Sequence, residues 1–341
     1  MLVKFSLDPD VLLDPDVGLD VMRRHRALLN LWGLIGQLTI PGHKESQSSL
    51  LEALKLAPQK VQVIWRQALK NNWKRLGNAE FERAMNSDVG VHDDEICDGV
   101  RLLMLEPTRS ELWGLDEDSY SKSITRNLEI CRFGHEDCTA VIKAAMALSI
   151  RPIEANEIPD RVWEQRLREL CIVSGVITVV DRYAVKNFLE IRSGLSGLER
   201  LLKRVSELNV PNKKIVHIYS AYSLDWRLNG SFSTFSDACY KIFDQIKIFC
   251  LPLCSGGLRE VNVHLGPDRG FGNINHYRYI RFDNQNIILM DGGLQPLGGS
   301  FVSKTCPVSL LQWMSSEADA YRNDEKKLRA IIEHQCRIPC V

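Results

Sequence analysis

The chain has 341 residues, 45% of them apolar and 25% charged, with 43 basic residues against 43 acidic ones. That length accommodates two domains with ordinary cores, and the zero formal charge excludes a global basic field for coating nucleic acid while leaving room for a grip on one phosphate. Its longest apolar runs, such as residues 171–180, reach only about half a bilayer span; the first residues lack the basic segment and apolar core of a signal peptide, and no lipidation box or basic anchor is seen. Several of the ten cysteines (Cys171, Cys239, Cys250) lie inside apolar segments as free thiols would, so a reducing, cytoplasmic compartment is expected.

In chain order, residues 3–13 read as a strand running into an Asp-Pro turn, Asp8-Pro9-Asp10, repeated at Asp14-Pro15-Asp16. A helix from about residue 19 carries the stripe Met22, Leu28, Leu29, Trp32 and Ile35, and residues 49–73 repeat the pattern. Short buried strands at 101–106 and 127–133 lead to a helix at 139–148. The two prolines of Arg151-Pro152-Ile153-Glu154-Ala155-Asn156-Glu157-Ile158-Pro159 mark a domain boundary.

Beyond it the pattern predicts a helix at 161–170, a strand at 176–180, helices at 198–208 and 232–246, and strands at 214–220, 259–265 and 286–290. Residues 315–336 form a charged helical tail. The expected architecture is two α/β domains, residues 1–155 and 160–315, followed by a helical tail at 316–341.

The motif segment is His276-Tyr277-Arg278-Tyr279-Ile280-Arg281-Phe282-Asp283, followed by a strand-like run and Gly292-Gly293. On a strand, residues two apart share a face, so His276 and Arg278 are expected to project together. A nucleophile or proton carrier beside a phosphate-gripping cation suits phosphodiester chemistry. His264, on the preceding predicted strand, shares a face with Glu260 and Asn262 and is a candidate second acid/base group; as a plain alternative it is a hydrogen-bonded structural histidine.

His-x-Arg-x4-Asp resembles the His-x-Lys-x4-Asp motif of the phospholipase D superfamily. Val179-Val180-Asp181-Arg182-Tyr183, Lys214-Ile215-Val216-His217-Ile218 and Met290-Asp291-Gly292-Gly293-Leu294 extend the resemblance to the phospholipase D-like domain at the C-terminus of MIT-domain proteins and its bacterial relatives. The resemblance implies a phospholipase D-like αβα layer in the second domain. It also implies His276 as a nucleophile forming a phosphohistidine, Arg278 as phosphate ligand and Asp283 as supporting carboxylate, with no cofactor.

Arg stands where the motif has Lys, and a fork replaces a point charge. With a single motif copy, a two-histidine site requires a homodimer. The expected function is a metal-independent phosphodiesterase, foremost a nuclease acting on nucleic acid, in the setting of prokaryotic defence with a protein partner encoded nearby. The alternative is an inactive module whose groove binds anionic lipid headgroups or proteins. A phospholipase acting at a membrane surface is the third reading, disfavoured by the lack of a basic or amphipathic anchor.

Elsewhere, Asp8 and Asp10 at a strand end form a weak candidate metal pair, to which His92-Asp93-Asp94-Glu95 would add ligands; ordinary Asp-Pro turn chemistry is the competing reading.

Overall fold

The computed structural model describes residues 1–15, 18–42, 44–87, 99–116, 118–190, 194–223, 234–272 and 278–340. The chain divides into two compact units, Met1–Leu148 and Ser149–Val341, each built on its own sheet. Both are α/β. The nine cysteines among the described residues are free thiols, and no helix there is long and apolar enough to cross a membrane.

In the first unit the strands are β1 (Val3–Leu7), β2 (Gly36–Ile40), β3 (Lys74–Leu76), β4 (Leu102–Leu105), β5 (Ser121–Ser123) and β6 (Glu129–Arg132). Their order is β3-β2-β1-β4-β6-β5, parallel except for β5 at one edge. β4 is Leu-Leu-Met-Leu and buried throughout, the continuous apolar run that a parallel strand covered on both faces requires. The connecting helices are α1 (Leu19–Ile35), α2 (Ser49–Leu56), α3 (Gln59–Asn71), α4 (Ala79–Met85), α5 (Pro107–Leu112) and α6 (Ala140–Ile150). The helix expected over residues 49–73 is two helices. Pro58 disfavours helical backbone at Ala57, and Ala57 leaves the helix at ψ 157°.

The second unit opens with α7 (Pro159–Val162), which passes through a π-helical turn into α8 (Arg168–Val173). Then come β7 (Val176–Val180), α9 (Ala184–Glu190), α10 (Gly197–Ser206), β8 (Lys214–Tyr222) and α11 (Phe235–Cys250). β9 (Leu258–Pro267), the short α12 (Asp268–Gly272), β10 (Tyr279–Phe282), β11 (Asn286–Met290) and β12 (Val308–Gln312) follow. α13 (Asp319–Ile331) and β13 (His334–Pro339) end the unit. The sheet order is β12-β11-β10-β7-β8-β9-β13: β7, β8 and β9 are parallel, and the strands on either side of them are antiparallel.

The tail is helical over α13 as expected, but then adds a strand the periodicity did not reveal. His-Gln-Cys-Arg-Ile-Pro has little apolar alternation because β13 is an edge strand held by its ladder to β9.

Side chains alternate across this sheet. On one face α9 meets β8, the Val185 N–H donating to Ser220 Oγ at 3.1 Å. On the other, Val180, Tyr219, Ala221, Tyr279 and Ile287 pack with Leu328 of α13. That second face is apolar only toward the carboxyl ends of β7 and β8. Toward their amino ends it turns polar, with Thr178, His217 and, from β10, Arg281 in register.

Candidate functional site

The motif's described part straddles β10. Arg278 immediately precedes the strand and Asp283 immediately follows it; His276 and Tyr277 lie outside the described residues, as do His92-Asp93-Asp94-Glu95. β10 runs antiparallel to β7, pairing Tyr279 with Val180 and Phe282 with Ile177. Arg278 is therefore carried to the carboxyl end of β7, where open α/β sheets place their ligands. Asp283 is carried to the opposite end. Its carboxylate accepts from the N–H groups of Gly175 (3.0 Å) and Val176 (2.8 Å), fixing the start of β7. The structure does not bring Asp283 beside Arg278.

At the carboxyl end, Asp181 is 2% exposed and serves as an anchor. It accepts from Tyr183 N–H and Leu294 N–H, both at 2.9 Å, joining the start of α9 to the loop after β11. Burial pushes its carboxyl above the usual carboxylate range, against those two amides and the Arg278 charge. Arg278 Nε stands 3.9 Å from Asp181, a loose pairing that leaves the guanidinium able to take another anion.

The Arg278 guanidinium carbon lies 5.0 Å from the centroid of the Tyr183 ring, and Arg182 (5.3 Å) and Lys186 (6.0 Å) approach the same ring. Arg182 is already gripped by both oxygens of Asp268, at 2.7 and 2.8 Å, and holds that carboxyl below its usual range. Arg278 also lines a small cavity of about 160 Å³ with Asp291, Ser309 and Tyr321.

Gly293 is required here. Its φ is +59°, and a Cβ would stand 2.2 Å from Asp181 Oδ2 and 2.8 Å from Arg278 Cδ. The glycine pair read from the sequence thus admits the close approach of Asp181 and Arg278.

His264 belongs to another patch. On β9 it shares its face with Asn262 and Glu260 as expected, and Asn262 Nδ2 donates to Glu260 Oε1 at 2.7 Å. The His264 ring stacks on Tyr219, with centroids 4.4 Å apart, and its Nε2 is 3.2 Å from Nδ1 of His217. Burial, the neighbouring His217 and Arg329 push His264 down to about 4, so it is neutral at pH 7. His217, Arg281, Glu325 and Arg329 around it were not singled out by sequence reasoning as site residues. Glu325 and Arg329 belong to the charged tail, and nothing local reveals which strands a tail helix will cover.

In the first unit, Asp8 and Asp10 follow β1. Asp8 is fully buried and pairs with Arg109 Nε at 3.1 Å, while Asp10 meets Arg109 Nη2 at 3.4 Å. Asp8 also accepts from the N–H groups of Asp10 and Glu106, so its oxygens are taken up by turn closure and one arginine. Among the described residues no three His, Cys, Asp or Glu side chains are grouped as a metal site.

No family model and no curated protein matches this chain. Among solved structures it is similar to the crystal structure of phosphatidylserine synthase from Haemophilus influenzae Rd KW20, at 14% sequence identity and a TM-score of 0.29. The match covers 51% of this chain and 36% of that one, about a third of the synthase's length. A likeness of this size carries no argument about fold or activity.

Proposed function

We propose that the second unit acts on phosphodiesters in the manner of the phospholipase D superfamily, with nucleic acid as the substrate. The observation that carries this reading is the placement of Arg278: at the carboxyl end of β7, the middle strand of the sheet, over the Tyr183 ring, and only loosely held by a buried Asp181. A phosphoryl group bound there meets a guanidinium fork suited to two of its oxygens.

His276, two residues earlier in the chain, is the proposed nucleophile. Its ring nitrogen bonds to phosphorus as the P–O bond to the leaving group breaks, and water then hydrolyses the phosphohistidine. Because the chain carries one motif, the acid that protonates the leaving oxygen comes from a second copy in a homodimer.

The test is hydrolysis of single- and double-stranded DNA and RNA in excess EDTA. EDTA-resistant cleavage lost in both His276→Ala and Arg278→Ala supports the reading. Cleavage that EDTA abolishes and His276→Ala spares overturns it.

A second reading, an inactive anion-binding module, is favoured by Asp283, which ties down β7 far from Arg278. It requires no turnover by the wild type and anion binding that Arg278→Ala weakens more than His276→Ala does.

A further inference from the structure

Two cysteine pairs with the same three-residue gap, Cys250-Leu-Pro-Leu-Cys254 and Cys336-Arg-Ile-Pro-Cys340, come together in the second unit. Cys250 ends α11, and Cys254 follows the 3-10 turn Leu251–Leu253; Cys336 lies on β13 and Cys340 just beyond it. On β13 the odd-numbered Gln335, Arg337 and Pro339 are exposed, while the even-numbered Cys336, Ile338 and Cys340 turn inward, the alternation of a strand with one covered face.

That inner face meets α11. Cys336 is within electrostatic reach of Lys247 and Asp244, and Cys340, four residues on, is beside Cys254 and Cys250 at the end of the helix. The strand rises about 13 Å over those four residues and the helix about 9 Å from Asp244 to Cys250, so the two advance side by side.

The thiols themselves meet. Cys254 Sγ donates to the Cys250 carbonyl at 3.2 Å, which holds its side chain in place, and the Cys340 thiol is hydrogen-bonded with the Cys254 thiol. The backbone pins both partners: Cys340 N–H donates to the Arg259 carbonyl at 2.8 Å, and Gly257 N–H, in the turn between Cys254 and β9, donates to the Ser206 carbonyl at 2.6 Å. Access is unequal. Cys340 is 3% exposed, and burial with the Cys254 hydrogen bond pushes it up to about 12; Cys254 is half-buried and open to solvent on one side. Both are free thiols.

We propose that Cys254 and Cys340 are a site of reversible oxidation that closes to a disulfide on reaction with a small-molecule disulfide such as oxidised glutathione. The Cys254 thiolate attacks one glutathione sulfur, forming a mixed disulfide and expelling one glutathione thiolate. Cys340 then gives its proton to solvent and attacks Cys254 Sγ, expelling the second. Two protein thiols are oxidised by two electrons, and one oxidised glutathione is reduced to two thiols. The new bond ties the turn before β9 to the end of β13, so the edge strand can no longer peel from its neighbour. α13, which precedes β13 and carries Glu325 and Arg329, is held against the sheet with it. The inference does not depend on the phosphodiester reading.

The test is incubation of the folded full chain in glutathione buffers of graded ratio, followed by alkylation and peptide mass spectrometry. A Cys254–Cys340 linked peptide is expected in the oxidising buffers, absent after dithiothreitol and absent from Cys254→Ser. Hydrogen exchange at the β13 amides bonded to β9 is expected to slow about tenfold or more on oxidation of the wild type, and not in Cys254→Ser. Mapping the linkage in the wild type needs no variant, so the result stands whether or not Cys340→Ser folds. The proposal is overturned if the linkage forms only after unfolding in urea, if Cys340 pairs with Cys250 or another cysteine instead, if the mixed disulfide on Cys254 persists without the second exchange, or if β13 exchange is unchanged in the linked protein.

Discussion

Arg278 and Asp283, five residues apart in one motif, act at opposite ends of β7. Arg278 stands beside Asp181 where β7 ends, and Asp283 accepts the Gly175 and Val176 N–H groups where β7 begins. The motif therefore spans the strand's length through β10, about 13 Å at the rise of an extended chain. Its two charged ends have different jobs, one at the candidate anion site and one in the frame.

Replacing Asp283 should cost stability and spare anion binding at Arg278. The residue has φ +49°, which Asn tolerates better than Ala, and its carboxylate receives two backbone donors. Asp283→Ala is expected to lower the unfolding free energy by about 2 kcal/mol and Asp283→Asn by less. Urea titration measures this; an unchanged Kd for a phosphodiester ligand completes the expectation.

Gly293→Ala should act on the site itself. The added methyl cannot coexist with Asp181 Oδ2 at 2.2 Å, so the Asp181 anchor or Arg278 has to move. Anion affinity at Arg278 is expected to fall about tenfold, the worth of one charge-assisted hydrogen bond, with the rest of the fold retained. A titration alongside a circular dichroism spectrum separates the two effects.

Arg281 is a structural cation. With side-chain exposures of 8% and 5%, Arg281 and Glu325 form a buried pair joining β10 to α13. Arg281→Met leaves the glutamate with only Arg329 and the Tyr279 hydroxyl, and is expected to cost about 3 kcal/mol. Arg281→Met with Glu325→Leu should cost less than the sum of the single changes. A double-mutant cycle by chemical denaturation reads the coupling.

The buried histidines give stability a pH slope of known sign. His25 and His264 are each pushed down to about 4, the first by burial and the second by burial with His217 and Arg329. In the unfolded chain they titrate at an ordinary 6.5, so between about 6.5 and 4 the unfolded state takes up protons that the folded state refuses. Their contribution is complete above 6.5 and is lost as pH falls toward 4. His264→Gln should therefore destabilise the protein most at pH 7 and progressively less by pH 4.5. A penalty that grows on acidification contradicts this.

Much of the frame was legible in the sequence. Leu-Leu-Met-Leu over β4 and Asn-Ile-Ile-Leu-Met over β11 are apolar runs whose identity as strands is local. Arg278 and the Gly292-Gly293 pair were visible for the same reason: a motif is a matter of spacing along the chain.

What the sequence could not contain is which strand runs beside which. Antiparallel pairing of β10 with β7 sends Arg278 to Asp181 and Asp283 to Val176, in the second case 107 residues away in the chain. The same non-local pairing sets His217 against His264, and the docking of α13 brings Glu325 and Arg329 over them. Those contacts depend on sheet order and on burial of the α13 apolar stripe. Hydrophobic packing and strand register are properties of the assembled layers, so only the tertiary structure decided them.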